Sequence, residues 1–200
     1  MTTRVDLWFD PACPFSWMTS RWLVEVAQQR PLDLHWHVMS LAVLNEGREL
    51  PPPYAERMHD ARRAVRFAIA AAQRHGDDVL GGLYTAVGER IHLQQRGFDD
   101  AVAHEAVAEL GLDADLIASL DDASYDDAVA ASHRQGQEAV GDDVGTPVVA
   151  VDGRAFFGPV VTPIPHGQEG LDLFEGLLLL SRTPAFSELK RARSGPPDFT

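Results

Sequence analysis

The chain has 200 residues, 45% of them hydrophobic, enough apolar surface for one compact core and little more. With 30 acidic against 17 basic residues the formal net charge is -13, which repels phosphate backbones and excludes nucleic acid as an expected partner. A single cysteine rules out an internal disulfide, so any disulfide chemistry has to recruit a thiol from elsewhere.

Met1-Thr2-Thr3-Arg4 leads straight into an alternating run, Val5-Asp6-Leu7-Trp8-Phe9, which reads as a first strand. No basic n-region, apolar h-region or small-residue cleavage site is recognisable there, so a cytoplasmic protein is expected. Trp17 to Gln29 then follows a helical repeat through Trp17, Arg21, Leu23, Val24 and Ala27. The junction is Asp10-Pro11-Ala12-Cys13-Pro14-Phe15-Ser16-Trp17, and it contains the lone cysteine. With Pro14 as the first helical residue, Cys13 becomes the N-cap and Ser16 the third helical position. The free amides of Phe15 and Ser16, the Ser16 hydroxyl and the positive end of the helix dipole are then expected to favour thiolate, the nucleophilic form.

Leu32 to Met39 alternates again, giving a second strand that completes a β-α-β unit with parallel strands. Pro51-Pro52-Pro53 breaks the pattern, and Tyr54 to about Val140 reads as a helical insert. Within it, Val65 and Ile69 share a face, and Val79, Leu83, Val87 and Ile91 continue the spacing after a stop and new N-cap at Gly76-Asp77. Asp99 to Leu110 ends at Gly111, Asp113 to Leu120 is short, and Ser124 to Val140 opens on a capping-box pattern between Ser124 and Asp127. From Gly145 strands return: Pro147 to Val151, the turn pair Asp152-Gly153, then Arg154 to Phe157, an antiparallel hairpin. A last helix covers about Gln168 to Leu180. Its apolar stretch, Leu177 to Leu180, is far shorter than the ~20 residues a bilayer-spanning helix needs, so no membrane association is expected. The expected organisation is a discontinuous unit from 1–50 and 141–193, a helical subdomain over 54–140, and an extended tail over 194–200.

That order, with Cys13-Pro14 opening the first helix and Gly145-Thr146-Pro147 opening the third strand, resembles an α/β thioredoxin fold carrying an inserted all-helical subdomain, as in DsbA-like proteins. Trp8-Phe9-Asp10-Pro11 with Cys13-Pro14, Thr19-Ser20-Arg21-Trp22, His37 to Leu41, Leu44-Asn45-Glu46, Val144 to Pro147, Phe156-Phe157-Gly158-Pro159, Glu188 to Arg191 and Pro196-Pro197 resemble the mycothiol-dependent nitroreductases among them. The resemblance implies a thiol-dependent oxidoreductase, with Cys13 as nucleophile and a low-molecular-weight thiol, mycothiol, as co-substrate in place of any tightly bound cofactor. Its other substrate would be a nitro compound or a disulfide. It also implies a cis proline at Pro147 and a substrate site lined by Pro14, Phe15, Asn45, Tyr54, Thr146 and Pro147. A homodimer is left open.

The departure from the pattern is Ser16, where two-cysteine members carry their second cysteine, and Phe15, where they commonly carry tryptophan. Without an internal resolving thiol, a second small thiol has to attack the mixed disulfide from solution, which predicts a monothiol cycle. The competing reading also uses Ser16. Kappa-class glutathione transferases and chromene-carboxylate isomerases share the fold and use a serine to activate a bound thiol, although they usually open the motif with Ser-Pro-x-Ser. A third reading is a thiol-sensing module whose cysteine accepts a small-thiol cap without turnover.

Other features point to less. His35 and His37 are spaced to share a strand face, but two ligands do not make a zinc site, and no metal is expected. Arg57, Arg62, Arg63 and Arg66 form a basic stripe within reach of a small anion, yet Glu56 and Asp60 nearby favour a solvated helix face. Glycine-rich nucleotide fingerprints and a P-loop are absent, so no nicotinamide, flavin or ATP is expected.

Overall fold

In the computed structural model, residues 2–142, 144–193 and 195–200 are described, so the Ser194 end of the expected tail lies outside them. Strand β1 (Thr3–Phe9) pairs in parallel with β2 (Leu32–Val38) on one side and antiparallel with β3 (Val148–Val151) on the other. The edge strand β4 (Arg154–Phe157) completes a sheet of order β2-β1-β3-β4. Asp152 and Gly153 both take positive φ, 48° and 81°, as the two-residue hairpin between β3 and β4 requires.

Helix α1 (Pro14–Gln29) crosses from β1 to β2 and packs on α7 (Gly167–Ser181), where Trp22 meets Phe174. Val5, Leu7 and Phe9 of β1 point into the core formed with these helices, and Phe9 stacks on Tyr84 with ring centroids 4.0 Å apart. The intervening segment contains a single turn, α2 (Leu41–Leu44), then α3 (Pro52–His75), α4 (Val79–Gly88), α5 (Asp100–Leu110) and α6 (Asp126–Val140). Gly136 of α6 lies against Trp8, on the face of β1 opposite Phe9: a Cβ there would come within 3.0 Å of the indole. Most of the buried apolar residues of the strands and of the helical segment belong to one cluster.

Several elements differ from the sequence reading. The capping box at Ser124 does not form: Ser124 lies in a 3₁₀ turn (Ala123–Tyr125), its amide donating 2.9 Å to Asp122, and α6 starts at Asp126. The short helix after Gly111 is a 3₁₀ helix (Ala114–Asp121), and α4 continues into a π-helical turn (Glu89–Leu93). The new N-cap after Gly76 is Asp78, one residue late. In the arginine stripe on α3, Arg63 pairs with Asp100 and Asp121, and Arg66 and Arg62 with Asp126, while Arg57 has no acidic partner among the described residues. His37 Nε2 donates to the Asp6 carboxylate at 2.8 Å and stacks on Trp8, while His35 pairs with Asp33. No helix among the described residues is long and apolar enough to cross a membrane.

Candidate active site

The turn between β1 and α1 is built by Asp10. Its backbone carbonyl accepts the Cys13 amide at 2.9 Å, and its carboxylate accepts the amides of Ala12 at 2.8 Å and Leu41 at 2.6 Å. Cys13 therefore arrives at the N-cap in an extended conformation (φ -85°, ψ 114°), with Pro14 at the first helical position. His92, on the π-helical turn, closes the other side by bonding the Pro11 carbonyl at 2.9 Å while stacking on Trp17.

The segment before β3 faces this turn. The Thr146–Pro147 peptide is cis, and the Thr146 carbonyl accepts from Cys13 Sγ at 3.4 Å. Thr146 Oγ1 donates to the Trp8 carbonyl at 2.9 Å, so its single proton is used; at the 2.7 Å contact with Ser16, the Ser16 hydroxyl is therefore the donor. Gly145 lies against Leu44, where an added Cβ would be 3.1 Å from Cδ2, which seats this segment on α2.

Burial sets the charge state. Cys13 is 5% exposed, and burial pushes its thiol above the ordinary range. The amide and hydroxyl of Ser16 and the amide of Phe15 pull it back, and Asp10 raises it again. The expected preference for thiolate is thus offset in this closed arrangement, because desolvating the sulfur outweighs the helix N-terminus. The resting group is a thiol that donates to Thr146. Asp10 is fully buried, and its pKa is pushed up to about 7; Tyr84, also buried, is raised and its hydroxyl has no partner among the described residues. Burial lowers His92 to about 4, so it is neutral and donates through one ring nitrogen.

Of the residues singled out by sequence, Cys13, Pro14, Ser16, Thr146 and Pro147 meet here, and Phe15 flanks them under the Arg193 guanidinium, 4.5 Å from the ring centroid. Asn45 and Tyr54 are not brought to the sulfur by any hydrogen bond. The Asn45 amide caps α2 by donating to Leu41 O at 2.8 Å, and it borders a cavity of about 310 Å³ with Glu46, Leu50, Met58, His59 and Arg62. Tyr54 sits on the first turn of α3, 39% exposed. Sequence reasoning left Asp10, His92 and Arg193 out of the site. The signal for Asp10 was its place in the motif, three residues before the cysteine; His92 and Arg193 gave none.

A family model described as "Rv2466c-like: Mycothiol-dependent nitroreductase Rv2466c" matches residues 12–191. The chain belongs to this family. It is accordingly a thiol oxidoreductase with a DsbA-like thioredoxin fold. A relative in Mycobacterium tuberculosis, the uncharacterized protein Rv2286c, is 31% identical over 194 residues, covering 96% of this chain and 83% of the relative. Among solved structures, the cytosolic disulfide reductase DsbM from Pseudomonas aeruginosa with GSH superposes with a TM-score of 0.59 at 18% identity, covering 88% of this chain and 100% of that one. The oxidoreductase DsbA from Xylella fastidiosa gives 0.56 at 17%, over 90% and 87%. The Rv2466c-like match begins just before Cys13 and runs past α7, so it spans every element that forms the site except β1 and the tail.

Proposed function

We propose that this Rv2466c-like protein is a cytoplasmic reductase that uses Cys13 as its only protein nucleophile, with mycothiol as the reducing thiol. The observation that carries this reading is the pairing of a lone N-cap cysteine with Ser16 at the third helical position and the Thr146 carbonyl against its sulfur. In the first step Sγ loses its proton, and the Ser16 hydroxyl turns from Thr146 to the thiolate, joining the amides of Ser16 and Phe15. The thiolate attacks one sulfur of a disulfide, forming a Cys13 mixed disulfide and expelling the other half as thiolate. A small-molecule thiolate then attacks that mixed disulfide, restores Cys13 and leaves as a new disulfide. With a nitro compound as oxidant, two small thiols are oxidised to one disulfide, and their two electrons and two protons convert nitro to nitroso and water. Thr146 and Pro147 border the groove in which the exchanging sulfurs line up, and Pro14 and Phe15 form its opposite lip. Asn45 and Tyr54 belong to the adjoining insert and are assigned to the far end of the bound molecule.

Turnover with mycothiol and a disulfide or nitro substrate is the test. Cys13→Ser should abolish it, and Ser16→Ala should lower kcat/KM about tenfold, the worth of one hydrogen bond to a thiolate. Full activity in Cys13→Ser together with its loss in Ser16→Ala would replace this reading with a transferase or isomerase that activates a bound thiol through Ser16.

A further inference from the structure

Across the helical segment the arginines are mostly engaged: besides Arg63 and Arg66, Arg74 holds Asp115, and Arg90 and Arg96 share Glu105. Arg193 has no carboxylate partner among the described residues, and it lies over Phe15, two residues after Cys13. Its segment is fastened across the active-site turn. Thr162 donates to the Pro196 carbonyl at 3.2 Å, and the Asp198 amide donates to Thr162 at 3.0 Å. Phe199 then packs on His92, the residue that holds the Pro11 carbonyl. Lys190 and Arg191 add two further cations just before Arg193, on a chain whose formal net charge is -13.

A guanidinium resting on an aromatic ring uses its face for the π cloud and keeps its N–H edge free, the geometry that pairs with a planar oxyanion. Among the described residues no protein acid competes for that edge. Over most of the surface an approaching anion is repelled, so a guanidinium over Phe15, two residues from Cys13, also favours approach in a single orientation.

We infer that Arg193 is a specificity-determining residue of the Cys13 site and receives a carboxylate on the oxidised substrate. This rests on the proposed role of Cys13. A substrate without an anionic group gains nothing from Arg193.

Alkylation of the only cysteine tests the inference without requiring turnover. Iodoacetate and iodoacetamide are close in size and differ in charge, and intact mass gives the rate of each at low and high ionic strength. In Arg193→Gln the iodoacetate-to-iodoacetamide rate ratio should fall about three- to tenfold, and its salt dependence should flatten, with the iodoacetamide rate unchanged. Arg182→Gln removes the same charge at the end of α7, away from Phe15, and should leave the ratio at the wild-type value. An unchanged ratio in Arg193→Gln, with both reagents reacting, overturns the inference and leaves the proposed function standing. If neither reagent modifies Cys13 in the folded protein, the proposed function falls and the inference with it.

Discussion

A carboxyl with no exposed surface and no cation bonded to it among the described residues, Asp10, stands three residues before the Cys13 sulfur. Burial holds its pKa at about 7 against the pull of the Leu41 and Ala12 amides. An unfolded aspartate titrates near ~3.9, so between that value and about 7 the folded state binds the extra proton. Stability from Asp10 is therefore present at low pH and lost as pH rises through this window, by ~4 kcal/mol when ionisation is complete. His92 works in the opposite sense: depressed to about 4, it contributes stability that is lost as pH falls below ~6.5. Because both act in one window, the informative quantity is the difference between wild type and Asp10→Asn, measured by chemical denaturation at several pH values. Wild type should lose stability relative to the variant as pH rises from about 4 to about 7. The alkylation midpoint of Cys13 should also drop in Asp10→Asn, since Asp10 raises the thiol. Parallel stability profiles and an unmoved midpoint would remove Asp10 from the electrostatics of the site. Cys13, Ser16, Thr146 and Pro147 were legible in the sequence because the motif brings each to a defined backbone position. The charge states of Asp10 and Cys13 were not, because they depend on how completely the helices exclude water.

Helix α4 packs on α1 through a glycine. A Cβ on Gly88 would lie 2.3 Å from two carbons of the Trp17 ring, which is 1% exposed and also packs against Tyr84 and His92. Nothing there can yield cheaply. Gly88→Ala should cost about 1–3 kcal/mol or more by overpacking, and it should disturb His92 and with it the Pro11 carbonyl. Gly176, inside α7, has open space where a Cβ would go, so Gly176→Ala should instead gain about 0.4–1 kcal/mol. Denaturation midpoints of the two variants check both signs, and a tolerated Gly88→Ala would mean that α4 does not clamp Trp17. The strands, the Asp152-Gly153 hairpin and the long helices were readable from alternation, turn chemistry and period. The single turn α2 was too short to show a period, and its position is fixed by the Leu41 amide on Asp10. The π-helical turn was hidden because Val87 and Ile91 keep helical spacing through it; what distinguishes it is the tertiary bond from His92 to Pro11.

At the scale of the whole molecule, the Cys13 turn lies where the strands and the helical segment share one apolar cluster, from Val5 and Leu7 of β1 through Tyr84 of α4 to Val129 of α6. The order of elements marked residues 54–140 as a helical subdomain inserted into one compact unit. The packing argues that neither part keeps a core without the other. Phe9 stacks on Tyr84, Trp17 lies against Gly88, and Arg21 on α1 donates to Thr85 on α4 at 3.0 Å. Separate unfolding would expose all of these contacts at once, at ~25 cal/mol for every Å² of apolar surface uncovered. The four tryptophans, Trp8, Trp17, Trp22 and Trp36, all belong to the first β-α-β unit, whereas α3 to α6 supply more helix than α1 and α7 together. Tryptophan fluorescence therefore reports on the sheet half and its seam with the helical segment, because Trp36, Trp17 and Trp8 lie against Gly81, Gly88 and Gly136, and far-ultraviolet circular dichroism reports mainly on the helical segment. In a denaturant titration the two signals should trace coincident curves with a single midpoint. A dichroism transition that separates from the fluorescence one would make the helical segment an independent folding unit, and the site would then form only when the two halves dock.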